Sequence, residues 1–237
     1  MIELRNLTFK RGGFSIDVPD LTVEEGEKIA LIGENGSGKS TLLHILTGLI
    51  ACDGVHFSGR RLNGISRRER AGMIAFMPQL PSVVFPFTVF EVVRLGAYAA
   101  GYMKDADSLT EEALTDTALT ELRDRAFSEL SGGEKRRVMI ARALNQRTGA
   151  LILDEPVSML DVRHSLEILK LLTGSGRTLI ASMHEVNLSV NYFDRIWMMN
   201  KGKLIYDVPA RDAEAAMLSE VFNVQAVSHT DHFTFRI

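Results

Sequence analysis

The alternation of apolar and polar residues at the start of the chain predicts β structure. Residues 2–9 alternate with a period of two, as in a half-exposed strand, and the Gly12-Gly13 turn leads into a second strand over residues 14–23. Further strands are expected over residues 28–32, 54–62, 73–77, 150–153, 178–182 and 195–200. Some of these runs, such as residues 150–153, are wholly apolar, which is typical of strands buried on both faces.

Helical spacing of the apolar residues separates many of these strands. Helices are predicted over residues 41–49, 133–146, 162–173 and 186–192. From Thr88 to about Leu122 the spacing is helical throughout, apart from a polar break over residues 104–110. Strands that alternate with helices imply a mostly parallel sheet covered on both faces. We therefore expect one α/β domain, with a core of residues 1–87 and 145–237 and an inserted helical subdomain of residues 88–144.

The composition narrows the classes of function. The chain has 237 residues, 46% of them apolar, and a formal net charge of −3, which argues against nucleic acid as a partner. Cys52 is the single cysteine, so the chain forms no internal disulfide, as expected in a reducing compartment. No apolar run approaches the roughly 18–20 residues that span a bilayer. If the protein works at a membrane, a partner must dock it there.

A glycine-rich loop between the strand at 28–32 and the next helix carries a phosphate-binding motif. It reads Gly33-Glu34-Asn35-Gly36-Ser37-Gly38-Lys39-Ser40 and is followed by Thr41. Glycines let successive backbone N–H groups converge on phosphates, and the helix N-terminus adds its positive dipole end. Lys39 would reach the β- and γ-phosphates, and Ser40 would offer its hydroxyl to Mg²⁺. A nucleoside triphosphate and Mg²⁺ are the expected cofactors, and the family resemblance described below implies that the nucleotide is ATP.

Two carboxylates follow the apolar strand at 150–153. In open α/β sheets, ligands bind beyond the carboxyl ends of the strands, which is where Asp154 and Glu155 are expected. Asp154 would hold Mg²⁺, directly or through water, as the acidic partner of a phosphate loop does. Glu155 is then placed to act as the general base on the attacking water.

The segment Leu130-Ser131-Gly132-Gly133-Glu134 narrows the interpretation from phosphate-loop NTPases to one family. Its Ser131 and Glu134 also form a capping box that begins a helix. LSGGE stands in the signature position of the ABC ATPases, which this chain resembles over residues 2–223. The resemblance implies the ABC ATPase fold: a phosphate-loop core with a mostly parallel sheet, an N-terminal antiparallel β subdomain and an inserted helical subdomain.

The same resemblance implies how the protein assembles. Ser131, Gly132 and Gly133 of one subunit would bind the γ-phosphate of ATP held by a second copy of the chain. One phosphate loop and one signature per chain then require a homodimer.

Three further motifs of that family appear in order along the chain. Gln79 resembles the glutamine that links the Mg²⁺ site to the helical subdomain. The stretch from Ser158 to Asp161 resembles the loop that crosses the dimer interface, and Asp161 is included among the nucleotide-binding residues. His184 resembles the switch histidine that contacts the γ-phosphate. These assignments make Lys39, Glu155 and His184 the expected catalytic residues.

One position departs from the family pattern. Members usually stack adenine on an aromatic residue, and Arg11 occupies that place here. A guanidinium plane can stack on a base, and Phe9 and Phe14 are the alternatives. The adenine contact and the preference for ATP over GTP stay open at this point.

Several stretches resemble the branch of importers for iron–siderophore, haem and cobalamin chelates: residues 66–71, 86–96 and 183–188. The resemblance implies transmembrane permease subunits, a solute-binding protein and a peripheral position at the cytoplasmic face of the inner membrane. A groove around residues 79–96 would receive a short helix of the permease. The alternatives are an ABC exporter, a zinc or manganese importer and a soluble ABC ATPase without a transport role.

Overall fold

A computed structural model of the chain describes residues 1–79, 86–102, 104–230 and 232–236. The expected permease groove over residues 79–96 thus falls partly outside the described residues. The chain divides into two compact units, one of Met1–Ile65 with Thr178–Ile237 and the other of Ser66–Arg177. The predicted subdomain limits at residues 88 and 144 stay a prediction.

The described residues form fourteen strands, eight α-helices and four 3-10 turns. The strands are β1 (Ile2–Leu4), β2 (Leu7–Arg11), β3 (Phe14–Val18), β4 (Leu21–Val23), β5 (Lys28–Gly33), β6 (Val55–Phe57), β7 (Arg60–Arg61), β8 (Ile74–Met77), β9 (Ala150–Asp154), β10 (Thr178–Ser182), β11 (Arg195–Asn200), β12 (Lys203–Pro209), β13 (Gln225–Ser228) and β14 (Phe233–Arg236). The helices are α1 (Lys39–Leu46), α2 (Arg67–Met73), α3 (Val89–Ala100), α4 (Ala106–Asp116), α5 (Gly132–Asn145), α6 (Val162–Thr173), α7 (Val186–Tyr192) and α8 (Ala215–Phe222). The 3-10 turns span Leu62–Gly64, Thr120–Leu122, Phe127–Glu129 and Ala210–Asp212.

The first unit is built on six strands in the order β2-β3-β12-β11-β5-β10. The central strand β5 runs parallel to β10 and β11, while β12 is antiparallel to β11 and β2 is antiparallel to β3. Residues 29–32 of β5 and Trp197 of β11 are fully buried. A second, antiparallel sheet has the order β4-β1-β6-β7. The predicted α/β class and N-terminal antiparallel sheet are confirmed. Strand β5, which leads into the phosphate loop, lies between its parallel neighbours β10 and β11.

Three predicted strands were wrong in extent. Residues 54–62 form two short strands, β6 and β7, that pair with each other. Residues 2–9 and 14–23 each form two strands that belong to different sheets of the first unit. The first breaks at Asn6, which has a φ of 47° and donates its backbone N–H to Asp20 Oδ1 at 2.5 Å. The second breaks at Pro19, which has no N–H to continue a ladder. The chain therefore changes sheet at two neighbouring points, which period-two alternation does not reveal.

The second unit holds the five helices α2 to α6 and a pair of parallel strands. Helix α3 packs against α4 and α5, and a Cβ at Gly96 of α3 would lie 2.2 Å from the carbonyl oxygen of Arg142 in α5. That close approach explains a glycine in the middle of a helix. Strands β8 and β9 pair in parallel, with Met77 opposite Leu153. None of the helices in the described part of the chain has the length and apolar character needed to cross a membrane.

Candidate nucleotide site

The phosphate loop, residues 33–40, needs glycine at two points of close contact. Gly33 has a φ of 150°, and a Cβ there would lie 2.2 Å from the carbonyl oxygen of Met199. Gly38 has a φ of 107°, and its Cβ would lie 2.6 Å from Ile16 Cδ1 and 3.0 Å from Phe14 Cζ. Both positions combine a backbone conformation that side chains disfavour with no space for one. The loop is therefore held tightly against the sheet.

Lys39 folds back over this loop. Its Nζ donates to the carbonyl oxygens of Gly33 at 2.7 Å and Glu34 at 3.0 Å, and the side chain is buried. The ammonium thus sits at the loop, beside the N-terminus of α1. Within the described residues, no side chain caps that N-terminus and no acidic residue lies in the first turn. The backbone there is arranged to bind an anion.

The other loop residues divide by exposure. Glu34, Asn35 and Gly36 are exposed, Ser37 is buried, and Ser40 and Thr41 are half-buried in the first turn of α1. This places the Ser40 hydroxyl at the helix N-terminus, next to Lys39.

The three candidates for the adenine contact lie on one face of the β2–β3 hairpin. Arg11 pairs with Phe14 across the strands, and Phe9 pairs with Ile16 one position further from the turn. Phe14 is half-buried and reaches Gly38, whereas Arg11 is exposed beside it. Arg11 and Phe9 are therefore each paired with a residue, Phe14 or Ile16, that approaches Gly38 of the phosphate loop.

His184 belongs to the same unit as the phosphate loop. Strand β10 ends at Ser182, which pairs with Leu31 of β5, and the N–H of Met183 donates to the carbonyl oxygen of Leu31 at 3.0 Å. Because β10 and β5 are parallel neighbours, His184 leaves the sheet at the same edge as residues 33–40. The side chain is exposed.

The second unit holds the acidic pair. Asp154 ends the fully buried strand β9 and is only 2% exposed. Glu155 follows with a left-handed φ of 53°, a conformation that costs about 1–3 kcal/mol in a residue other than glycine. Gln79 Nε2 donates to Glu155 Oε1 at 2.7 Å. The parallel register explains the contact, since Gln79 and Glu155 each stand two residues beyond a paired position of β8 and β9.

The signature segment, residues 130–134, forms the predicted capping box at the start of α5. The backbone N–H and the hydroxyl of Ser131 both donate to Glu134 Oε2 at 2.7 Å, and the N–H of Glu134 donates to Ser131 Oγ at 3.3 Å. Hydrogen bonds from the hydroxyl and the N–H of Ser131 lower the pKa of Glu134. The chain's own carboxylate therefore occupies this helix N-terminus.

The segment from Ser158 to Asp161 lies against the signature glycines. A Cβ at Gly133 would stand 3.0 Å from the carbonyl oxygen of Met159, and one at Gly132 would meet Met159 Sδ at 3.4 Å. Met159 has a left-handed φ of 65°, and its side chain is 69% exposed. Asp161 caps α6 by accepting from the N–H of His164 at 2.9 Å, which lowers the pKa of the carboxyl group. In a single chain Asp161 thus has a structural task; its contact with nucleotide stays a prediction.

Sequence reasoning missed Arg136 of α5, which is 3% exposed. It donates to the carbonyl oxygen of Gln79 at 2.6 Å and to the hydroxyl of Ser158. A signal exists, because Arg136 lies at helical spacing from the buried Ile140 and Ala143, on the apolar stripe of the helix.

The chain is similar to known proteins over most of its length. The family model "ABC transporter" matches residues 16–158. The chain is 37% identical to a hemin import ATP-binding protein of Rhodopseudomonas palustris (strain HaA2), over 97% of this chain and 93% of that protein. The corresponding protein of Bordetella avium (strain 197N) is 36% identical, over 95% and 93%.

Two solved structures are similar over nearly the whole chain. One is a dimeric, post-hydrolysis ATP-binding cassette bound to ADP and phosphate, with a TM-score of 0.79, 26% identity, and coverage of 90% of this chain and 100% of that one. The other is an ABC transporter described as metal-chelate type, in an inward-facing conformation. Its TM-score is 0.79, with 25% identity and coverage of 99% and 95%.

Proposed function

Since this chain belongs to the ABC transporter family and is one of its ATP-binding, ATP-hydrolysing subunits, we propose that it drives the uptake of haem. It works as a homodimer docked on transmembrane permease subunits at the cytoplasmic face of the inner membrane. Haem is supported by relatives named for hemin import. The structure described as metal-chelate type supports the same branch. A solute-binding protein would deliver the substrate to the permease.

The observation that carries the proposed chemistry is the contact between Gln79 and Glu155. Gln79 Nε2 donates to the carboxylate at 2.7 Å, so the base is oriented before any water arrives. Glu155 would accept a proton from the attacking water while the oxygen of that water bonds to the γ-phosphorus. The bond from the γ-phosphorus to the bridging oxygen breaks, leaving ADP and phosphate. His184 would hold the γ-phosphate during this step.

The residues assigned to nucleotide and metal fit those tasks chemically. Lys39 and the uncapped N-terminus of α1 suit the phosphates. The hydroxyl of Ser40, the amide oxygen of Gln79 and the carboxylate of Asp154 are oxygen ligands of the kind Mg²⁺ prefers. Mg²⁺ held by these groups would neutralise negative charge on the phosphates. Ser131, Gly132 and Gly133 of the second copy would complete the site.

Glu155→Gln tests this function. It keeps the shape of the side chain but removes the base, so turnover falls by several orders of magnitude while ATP binding persists. Because the γ-phosphate then stays in place, the variant forms a dimer with Mg-ATP that light scattering detects. Lys39→Ala is the matched control and stays monomeric, and ADP supports no dimer in either variant. A Glu155→Gln variant that stays monomeric at saturating Mg-ATP contradicts the composite site.

The transported solute needs a separate test, because the permease and the solute-binding protein select it. We expect haem-loaded binding protein to stimulate ATP hydrolysis by this chain assembled with its permease in vesicles. Stimulation by zinc- or manganese-loaded binding protein alone would assign the chain to a metal-ion importer. Transport of substrate from the side of the membrane that carries this chain to the opposite side would assign the chain to an exporter.

A further inference from the structure

A buried guanidinium joins the signature helix to the two segments that hold Glu155. Arg136 lies in α5, five residues after Ser131, and is 3% exposed. Charged side chains are almost never buried this deeply without partners. Burial lowers the pKa of Arg136, and the nearby carboxylates of Glu155 and Asp154 oppose that shift. An arginine nonetheless stays protonated in proteins, so this is a permanent positive charge.

The two arms of the guanidinium reach different segments. Nη1 donates to the carbonyl oxygen of Gln79 at 2.6 Å and approaches that of Pro78 at 3.4 Å. Nη2 donates to the hydroxyl of Ser158. The planar fork of arginine suits such a pair of contacts, which the single ammonium of lysine could not reproduce together.

Both of these segments in turn hold Glu155. Gln79 Nε2 donates to the Glu155 carboxylate at 2.7 Å. The backbone N–H and the hydroxyl of Ser158 donate to the Glu155 carbonyl oxygen at 3.2 and 3.0 Å. Glu155 has a left-handed φ of 53°, a conformation that persists only where surrounding contacts impose it. Its side chain and its backbone are therefore each fixed by a residue that Arg136 anchors.

We propose that Arg136 is a positioning residue for Glu155. It ties the helix that begins at the signature segment to the orientation of the base, so that a shift of α5 alters the position of Gln79 and Ser158 together. The inference rests on the proposed role of Glu155 as general base. Arg136 itself touches neither water nor nucleotide in this scheme.

Steady-state ATP hydrolysis by the full chain tests this role. Arg136→Gln removes the charge and one arm of the fork, and we expect kcat to fall by about tenfold to a hundredfold, the cost of a small misplacement of a catalytic group. We expect KM for ATP to stay unchanged, because Arg136 bonds the backbone carbonyl oxygen of Gln79 and the hydroxyl of Ser158, and neither group is assigned to ATP or Mg²⁺. Arg136→Lys restores part of kcat, since it keeps the charge and one of the two contacts.

Arg142→Gln is the matched control. Arg142 lies on the same helix, and burial alone lowers its pKa, so the variant also removes a desolvated guanidinium from α5. We expect Arg142→Gln to keep the kcat of the parent. Equal losses of kcat in Arg136→Gln and Arg142→Gln would overturn the proposal in favour of a general packing role. A changed KM with an unchanged kcat in Arg136→Gln would overturn it as well.

Ser158→Ala keeps the test decisive if Arg136→Gln does not fold. Ser158→Ala deletes the hydroxyl that bridges Arg136 and Glu155, so we expect kcat to fall while KM is unchanged. An unaltered kcat in both Ser158→Ala and Arg136→Lys would refute the positioning role. Glu155→Gln is measured in the same assay. If that variant hydrolyses ATP like the parent, the proposed function fails; if only the Arg136 and Ser158 variants do, the positioning role alone fails.

Discussion

The two helices expected to bind the phosphates of ATP begin in opposite ways. Helix α1 starts at Lys39, after Gly38 with a φ of 107°, and among the described residues it has neither a side-chain cap nor an acidic residue in its first turn. Helix α5 starts after Ser131, whose N–H and hydroxyl both bind Glu134 of the same helix. One N-terminus keeps its positive dipole end for a ligand, whereas the other already binds a carboxylate.

If the signature segment binds the γ-phosphate of a second copy, as proposed, this difference implies an order of events. Binding at α1 would need no partner, because no side chain among the described residues caps that helix. Binding at α5 would require the Glu134 carboxylate to leave Ser131. The contrast between the uncapped N-terminus of α1 and the N-terminus of α5, which Glu134 caps, can be tested by substitutions in each helix.

Among changes at the two helix starts, the largest effects are expected for Lys39→Ala and Ser131→Ala. Each removes a donor to the phosphates, and we expect kcat to fall by about 10²–10³-fold in both. Only Lys39→Ala loses ATP binding in dilute monomer, because its site is the preformed one. Calorimetric titration with ATP under monomeric conditions separates them. Loss of monomer binding in Ser131→Ala would break the comparison.

A matched pair of glycines comes next. Gly38→Ala places a Cβ 2.6 Å from Ile16 Cδ1 at a positive φ, so we expect the free energy of unfolding to fall by about 1–3 kcal/mol. Gly132→Ala meets nothing closer than Met159 Sδ at 3.4 Å, and Gly132 begins α5 without a positive φ, so its backbone accepts alanine. Its unfolding free energy stays equal or rises. Urea denaturation of the two variants measures both free energies of unfolding. An equal decrease in both variants would contradict the difference expected between the two glycines.

Glu134→Gln probes the self-cap directly. The pKa of Glu134 is lowered in the folded chain, so its charge stabilises the fold above the unfolded value of about 4.3 and this contribution disappears as pH falls through the folded value. At neutral pH we expect the variant to be less stable by about 0.3–1 kcal/mol, a difference that disappears as the pH falls through the lowered pKa of the folded state. Thermal unfolding across that range measures it. If the stability difference between parent and variant grew as the pH fell, the Glu134 charge would destabilise the fold, contrary to this prediction.

The same substitution should favour the dimer. Removing the carboxylate lowers the repulsion of an incoming γ-phosphate, so Glu134→Gln in a Glu155→Gln background dimerises at a lower ATP concentration. Light scattering against ATP concentration gives the midpoint. A midpoint that moves upward would show that Glu134 assists the phosphate instead of competing with it.

The smallest effect is expected for Arg11→Ala. A stacked guanidinium contributes about 0.5–1 kcal/mol at an exposed site, so KM for ATP rises a few-fold while kcat is unchanged. Phe14→Ala is the companion variant, because Phe14 pairs with Arg11 and also contacts the phosphate loop. Competition between ATP and GTP shows which side chain reads the base. An unchanged KM in Arg11→Ala rules out stacking by Arg11.

Local patterns in the sequence were sufficient for the two helix starts. The glycines of residues 33–40 and the serine-to-glutamate spacing of the signature segment specify backbone geometry within one turn of helix, and both appear as predicted. The strand ending at Asp154 was also predictable, because its residues are uniformly apolar. These features depend on neighbours in the chain, so composition and spacing suffice to indicate them.

Other features depended on residues far apart in the chain. Period-two alternation could not show that residues 2–9 and 14–23 each divide between two sheets, because both halves alternate correctly.

The sequence by itself determined which residues could bind phosphate, hold a metal and act as base. Only the tertiary structure decided how they are held. The parallel register of β8 and β9 brings Gln79 to Glu155 across 76 positions of sequence. Of the three adjacent cationic residues Lys135, Arg136 and Arg137, the packing of α5 buries Arg136. The physical reason is that local conformational preferences specify a turn or a cap, whereas a buried polar contact exists only when distant elements supply both partners.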